Sequence, residues 1–204
     1  MNEKDKVAVF DFDGTLIRGD SFIEFAVYVH GWSRFIISLL KCSHRLILYK
    51  LKIYSNNKTK EYVFGKLFKG IPLNSFNNYA RQFFIDNAGR ILRAEAVACL
   101  KEHKSCGNKV IIVSASPSNW IIPFADALGV DKVLSTEVEI DDNGCLTGRF
   151  SNRNCYGKEK VSRIKTILPE REAYYMYAYG DSRGDKEMLE FADEGYYKTF
   201  NNIC

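Results

Sequence analysis

An α/β fold is predicted, with a parallel sheet covered by helices on both faces and a helical segment inserted after the first strand. Three observations predict it. Short apolar runs alternate with segments of helical period along most of the chain, the pattern of a helix-covered parallel sheet. Several of those apolar runs end in polar, acidic or glycine-rich sequence. Charge is also uneven: Tyr28 to Gly70 holds nine basic residues (Arg34, Lys41, Arg45, Lys50, Lys52, Lys58, Lys60, Lys66, Lys69) and one acid, Glu61. The rest of the chain carries 20 basic and 24 acidic residues, so a segment with a separate role is expected within it.

The elements follow in order. Val7 to Phe10 reads as a first strand. Phe22, Phe25, Ala26 and Val29 keep the i, i+3, i+4, i+7 spacing of one helix face. Phe35-Ile36-Ile37, Leu39-Leu40, Leu46-Ile47-Leu48 and Leu51 continue the helical segment with basic residues interleaved. Thr59 to Phe68 gives a third helix, and Leu73 opens a fourth toward Ala88. Ala94 to His103 is helical, Lys109 to Val113 a buried strand, and Ser118 to Leu128 a helix stopped by Gly129. Glu137–Ile140 and Cys145–Phe150 flank Asp141-Asp142-Asn143-Gly144, a hairpin signal. A helix at Glu159–Leu168, a strand at Ala173–Tyr179, a helix at Lys186–Phe191 and a strand at Tyr196–Phe200 complete the chain.

The 204 residues suit one domain, or one domain with a modest insertion. With 46% apolar and 26% charged residues the composition is that of a soluble globular protein, and excludes a disordered or fibrous one. The uncharged apolar run Phe35–Leu40 falls far short of the ~20 residues a membrane span needs. The charged start Met1–Lys6 leads directly into the first strand, so no signal peptide is expected. Six scattered cysteines form no C-x-x-C pair and only three His occur, so neither a zinc site nor a disulfide framework is expected. A reducing cytosol is the expected setting.

In such sheets reactive groups gather at the carboxyl ends of strands. Strand one runs into Asp11-Phe12-Asp13-Gly14-Thr15-Leu16, the second buried strand into Ser114-Ala115-Ser116, and a later one into Gly180-Asp181-Ser182-Arg183-Gly184-Asp185. Four carboxylates, Asp11, Asp13, Asp181 and Asp185, would then meet with few cations nearby, which favours a bound divalent metal. Hard oxygen ligands, few enough to leave room for waters and a substrate phosphate, describe Mg2+. Gly14 would let the chain turn and bring backbone N–H groups toward an anion. Of two paired carboxylates, one can attack phosphorus while the other handles the proton of the leaving group. A D-x-D pair standing alone would be a solvated turn as readily as a site.

The set Asp11-Phe12-Asp13-Gly14-Thr15-Leu16, Ser114, a lysine opening a helix, and Gly180-Asp181-Ser182-x-x-Asp185 occurs in this order. It resembles the four motifs of the haloacid dehalogenase-like (HAD) superfamily, subfamily IB, in its phosphoserine-phosphatase-like branch. The resemblance covers essentially the whole chain and implies a Rossmann-like core, residues 1–17 and 91–204, with a helical cap inserted at 18–90. It implies a phosphatase in which Asp11 is the nucleophile, forming an aspartyl-phosphate, and Asp13 the general acid and base. The presence of Asp13 favours phosphoryl chemistry over dehalogenation, because an alkoxide leaving group needs a proton and a halide does not. Ser114, the Ala115 N–H, Gly14 and a lysine would hold the phosphate; Lys160 fits the motif spacing better than Lys158. Asp181, the Asp11 carboxylate and the Asp13 carbonyl would hold Mg2+, with Asp185 supporting its water shell.

The chain departs from the phosphoserine phosphatases at three places: Asp20 replaces their Glu, Ala115-Ser116-Pro117 their glycine pair, and Gly184 their Asn. A small phosphorylated metabolite is the expected substrate, with Asp20 on the cap contributing to its choice. A lipid phosphate such as phosphatidylglycerophosphate is the alternative. The basic cap admits two readings: stems packed on the surface with heads in water, or Arg34 to Lys52 resting on anionic lipid at the inner face of the membrane. No motif points to nucleic acid. An inactive phosphate-binding module and a phosphotransferase remain as rival functions.

Overall fold

The computed structural model describes residues 4–42 and 56–200. Five parallel strands form the central sheet in the order β3-β2-β1-β6-β7. In it β1 (Asp5–Phe10) lies between β2 (Lys109–Pro117) and β6 (Tyr174–Gly180), with β3 (Lys132–Thr136) and β7 (Glu194–Tyr197) at the edges. Val9 is in register with Ile111 on one side and Ala178 on the other. The first motif therefore leaves the sheet at its centre, between the strands that carry the other two. The antiparallel hairpin β4 (Val138–Ile140) and β5 (Leu146–Phe150) stands outside this sheet.

Strand alternation assigns each face its own core. Ala8, Phe10, Val110, Ile112, Tyr177 and Tyr179 belong to one buried cluster; Val7, Val9, Ile111, Val113, Met176 and Ala178 belong to the other. The second cluster takes Ile164 from α6 (Lys158–Ile167) and Met188 from α7 (Lys186–Phe191); these two labels follow the helices α1 to α5 placed next. The first cluster reaches α4 (Ala94–Ser105) through Leu100 and α5 (Ser118–Leu128) through Trp120 and Phe124. From there it continues into three helices between β1 and β2: α1 (Ser21–Lys41), α2 (Asn56–Phe68) and α3 (Leu73–Ile91). Phe25 stacks on Trp120 at 4.7 Å and meets Phe76 and Phe83 edge-on at 5.4 and 5.5 Å. Aromatic pairs in these geometries add to the burial of apolar area, so the helical segment shares a core with one sheet face.

Asp20 starts α1 by accepting the N–H groups of Phe22 and Ile23, at 2.8 and 3.3 Å, with Oδ1, an ordinary N-cap. The helix is interrupted at Gly31, whose φ of 73° and ψ of 160° lie where only glycine sits without strain. Of the expected apolar face, Phe22, Phe25 and Ala26 are buried and Val29 half-buried. The expected helical stretch through Leu46–Leu51 lies outside the described residues. No described helix is long and apolar enough to cross a membrane. Among the described cysteines Cys42, Cys145 and Cys155 form no disulfide, whereas Cys106 is disulfide-bonded, which the sequence does not predict.

Two strands differ from expectation. β3 was not anticipated, and its register with β2 shows why it forms: Val133 and Leu134 pair beside Ile112 and Val113, a contact no local pattern reveals. β7 starts two residues before the expected Tyr196, because Glu194 and Gly195 pair with Tyr177 and Ala178.

Candidate active site

Asp11 leaves the end of β1 with its backbone N–H donating to the Tyr179 carbonyl at 2.9 Å, and its side chain is buried. The chain then turns through Phe12–Leu16, so Asp13 lies in a turn and not, as a plain strand would have it, on the same strand face as Asp11. Its carboxylate is held from both sides: Oδ1 accepts the Ser21 N–H at 2.7 Å and Oδ2 accepts the Ser116 hydroxyl at 2.6 Å. Gly14, at φ 73°, passes so close to Asp181 that an added Cβ would lie 2.3 Å from Asp181 Oδ2. Its N–H donates to the Gly19 carbonyl at 2.9 Å. Gly14 therefore provides the expected turn and room beside Asp181, while its own N–H is taken by Gly19.

Lys160, on the first turn of α6, is 2% exposed. Its Nζ donates to Asp11 Oδ1 at 2.6 Å, Asp185 Oδ1 at 2.5 Å and the Val113 carbonyl at 3.0 Å. Burial works against its charge, but the Asp11 and Asp185 carboxylates outweigh it and hold the ammonium above its ordinary pKa. Lys158 is exposed. Asp185 is fully buried, and its Oδ2 accepts the Ser182 hydroxyl and N–H at 2.7 and 2.9 Å and the Asp181 N–H at 3.2 Å. Against the effect of burial, Lys160 and these bonds keep its pKa below the usual value.

The carboxylates of Asp11, Asp181 and Asp185 offer oxygens within 4.8 Å of one another. Burial, opposed by Lys160 and reinforced by Asp185 and Asp13, raises Asp11 to about 7. Burial and Asp185 raise Asp181 as well. Crowded carboxylates that resist ionisation are the donor set a hard divalent cation relieves; Asp11 and Asp181 could ligate one, with Asp185 behind them.

At the end of β2, Ser114 is fully buried and its Oγ accepts the Ser116 N–H at 3.1 Å. Ala115 lines a cavity of about 750 Å³ together with Asp11, Asp13, Gly14, Asp20, Lys160 and Asp181. The far wall of this cavity comes from α1 and α2. Several polar residues of the site have no role assigned from the sequence. Ser116 clamps Asp13. Lys60 of α2 donates to the Ala115 carbonyl at 3.0 Å; burial lowers its pKa, while Asp13 and Asp20 act the other way. Arg93 and Tyr156 line the cavity as well. Ser116 stands with Ser114 at the end of β2 but carried no sign of a role, and Lys60, Arg93 and Tyr156 follow no strand apex, which was the signal used. The basic run around Lys60 was the only sequence sign that α2 brings charge to the site.

The model of one protein family, described as haloacid dehalogenase-like hydrolase, matches residues 8–190. The chain belongs to that family. It is 35% identical over 202 residues to the protein CicA of Caulobacter vibrioides, covering 98% of this chain and 89% of that one. A phosphoserine phosphatase of Archaeoglobus fulgidus is 29% identical over 202 residues, covering 96% of this chain and 53% of its own length. Among solved structures, a protein of unknown function from Bordetella pertussis superposes with a TM-score of 0.81 at 24% identity, covering 92% of this chain and 87% of that one. That likeness shows a shared fold.

Proposed function

We propose that the chain is a magnesium-dependent phosphomonoesterase acting through a phosphoryl-Asp11 intermediate. The observation that carries this reading is the arrangement around Asp11: a buried carboxylate fixed by Lys160 beside Asp181, with a second, separately clamped carboxylate, Asp13, two residues away. One side chain is poised to attack and another to move a proton. The phosphoserine phosphatase among the relatives supports the phosphatase assignment.

In the first half of the cycle an Asp11 oxygen forms a bond to phosphorus as the bond to the ester oxygen breaks. Protonated Asp13 gives its proton to that oxygen, so a neutral alcohol leaves. In the second half Asp13, now a carboxylate, takes a proton from a water that attacks phosphorus, and Asp11 is released with inorganic phosphate. Lys160 holds Asp11 in its attacking position and opposes charge building on the phosphoryl oxygens. Ser114 and the Ala115 N–H would hold the phosphate. Asp11, the Asp13 carbonyl and Asp181, with Asp185 in support, would hold Mg2+, which would supply charge neutralisation for the transferring group. Residues 18–90 act as a cap over residues 1–17 and 91–204, with Asp20 on its rim. A small phosphorylated molecule is the substrate class.

Release of phosphate from an aryl phosphate, measured with Mg2+ and after chelation, tests the reading. Metal-dependent turnover that disappears in Asp11→Asn is expected. Phosphate binding without turnover would mean an inactive binding module, and transfer to added glycerol would mean a phosphotransferase.

A further inference from the structure

The cavity that contains Asp11 is far larger than a phosphate group, and its composition changes along its length. The sheet end supplies carboxylates and Lys160; the helical end supplies Phe22, Ile23, Phe35, Leu39 and Val63. Phe22, Phe35 and Val63 are 8, 5 and 5% exposed, so this wall is packed and preformed. Of the polar groups between the two ends, Asp20 and Lys60 have partners in the fold, whereas the buried Arg93 Nε has no hydrogen-bond partner among the described residues. Asp20 caps α1 with Oδ1, and Lys60 donates to the Ala115 carbonyl.

The break at Gly31 re-aims the second half of α1, and Phe35 and Leu39, four apart on one helix face, are the residues of that half that enter the cavity. Its outer face is apolar as well: Trp32, Ile36, Ile37 and Leu40 are 63, 49, 50 and 67% exposed. A leaving group reaching beyond Leu39 would thus meet more apolar surface.

We infer that the alcohol released by this enzyme carries an apolar chain, so that the substrate is an amphiphilic phosphate monoester and not an amino-acid or sugar phosphate. The inference rests on the phosphatase reading and narrows its substrate. A zwitterionic or polyhydroxylated leaving group would place unpaired polar atoms against the Phe22–Phe35–Val63 wall, at a desolvation penalty an alkyl chain does not meet. A chain buried there gains from each methylene removed from water.

The test separates binding from turnover. Calorimetry of the unaltered protein with Mg2+ and ethyl-, butyl- and hexylphosphonate, below their aggregation concentrations, reads the apolar wall without needing catalysis. A fully buried methylene is worth about fourfold in affinity, and Kd is expected to fall at least about tenfold from ethyl to hexyl. Leu39→Asp should flatten that trend; where this variant fails to fold, Val63→Thr, close in shape, should weaken it. A Kd independent of chain length in the unaltered protein would overturn the inference. Hydrolysis of the matching alkyl phosphates tests the parent reading separately. Turnover with a flat length series would leave the phosphatase standing and sink the apolar leaving group. A steep series with no turnover would sink the phosphatase and leave an apolar anion-binding cavity.

Discussion

The two ends of the cavity are held by opposite physics. At the sheet end one buried ammonium, Lys160, is bonded to two buried carboxylates and a carbonyl within 3.0 Å. At the helical end no comparable charge network exists among the described residues; the wall is Phe22, Phe35 and Val63, set by aromatic packing that runs through Phe25 and Trp120. A charge network fixes atoms sharply but fails abruptly when one member is removed. An apolar wall tolerates volume changes and fails gradually. The proposed function puts chemistry at the first end and selectivity at the second.

The largest break should come from Lys160→Met. It leaves Asp11 and Asp185 buried side by side without their cation, and unpaired buried charges of this kind cost about 3–5 kcal/mol. Urea unfolding should show that loss together with loss of turnover, whereas Lys158→Met, at an exposed position, should change neither.

His103 sharpens the contrast from behind the sheet. It is fully buried, 2.9 Å from the Tyr179 hydroxyl and 2.8 Å from the Asn108 amide, and burial lowers its pKa to about 4. Because the unfolded imidazole titrates near 6.5, the unfolded chain takes up a proton first as pH falls. The contribution is therefore fully present above about 6.5 and is lost progressively toward 4, by up to about 3 kcal/mol. Asp11, raised to about 7, gains stability over the same range, so the His103 contribution is read as a difference: between pH 7 and pH 5 the unaltered protein should lose stability relative to His103→Gln.

Gly14→Ala should cost about 1–3 kcal/mol, from a positive φ and a Cβ pressed on Asp181, and should reduce turnover more than it reduces melting temperature. Asp20→Ala, at the helical end, should cost only about 1 kcal/mol by removing the α1 cap. Thermal melts of the two variants side by side rank the ends directly.

How much was legible in the sequence follows the same division. Asp11, Asp13, Asp181 and Asp185 stand immediately after apolar strands, and the parallel order β2-β1-β6 brings those strand ends together; local pattern and topology agree there. The helix opens on Lys158, so the helix start alone could not select Lys160; the motif spacing implied by the resemblance did. The limits of α5 and α7 were visible because Gly129 follows the one and a short apolar period defines the other. β3 was not, since Val133 and Leu134 are its only apolar residues and its existence depends on pairing with β2. Lys60 and Arg93 were missed as site residues because nothing in the spacing of a helix or a turn says which cavity it will face; Ser116 stood at a strand end, but its bond to Asp13 forms only when β2 meets the turn after β1. The change in lining from carboxylates to aromatic and aliphatic residues belongs to tertiary packing and could not be read at all.

The most direct measurement is an acid-quenched mass analysis of the protein mixed with an aryl phosphate and Mg2+. The account predicts a phosphoryl adduct mapping to Asp11, accumulating further in Asp13→Asn because its hydrolysis loses the base, and absent from Asp11→Asn. An adduct on any other residue, or undiminished turnover by Asp11→Asn, would contradict it.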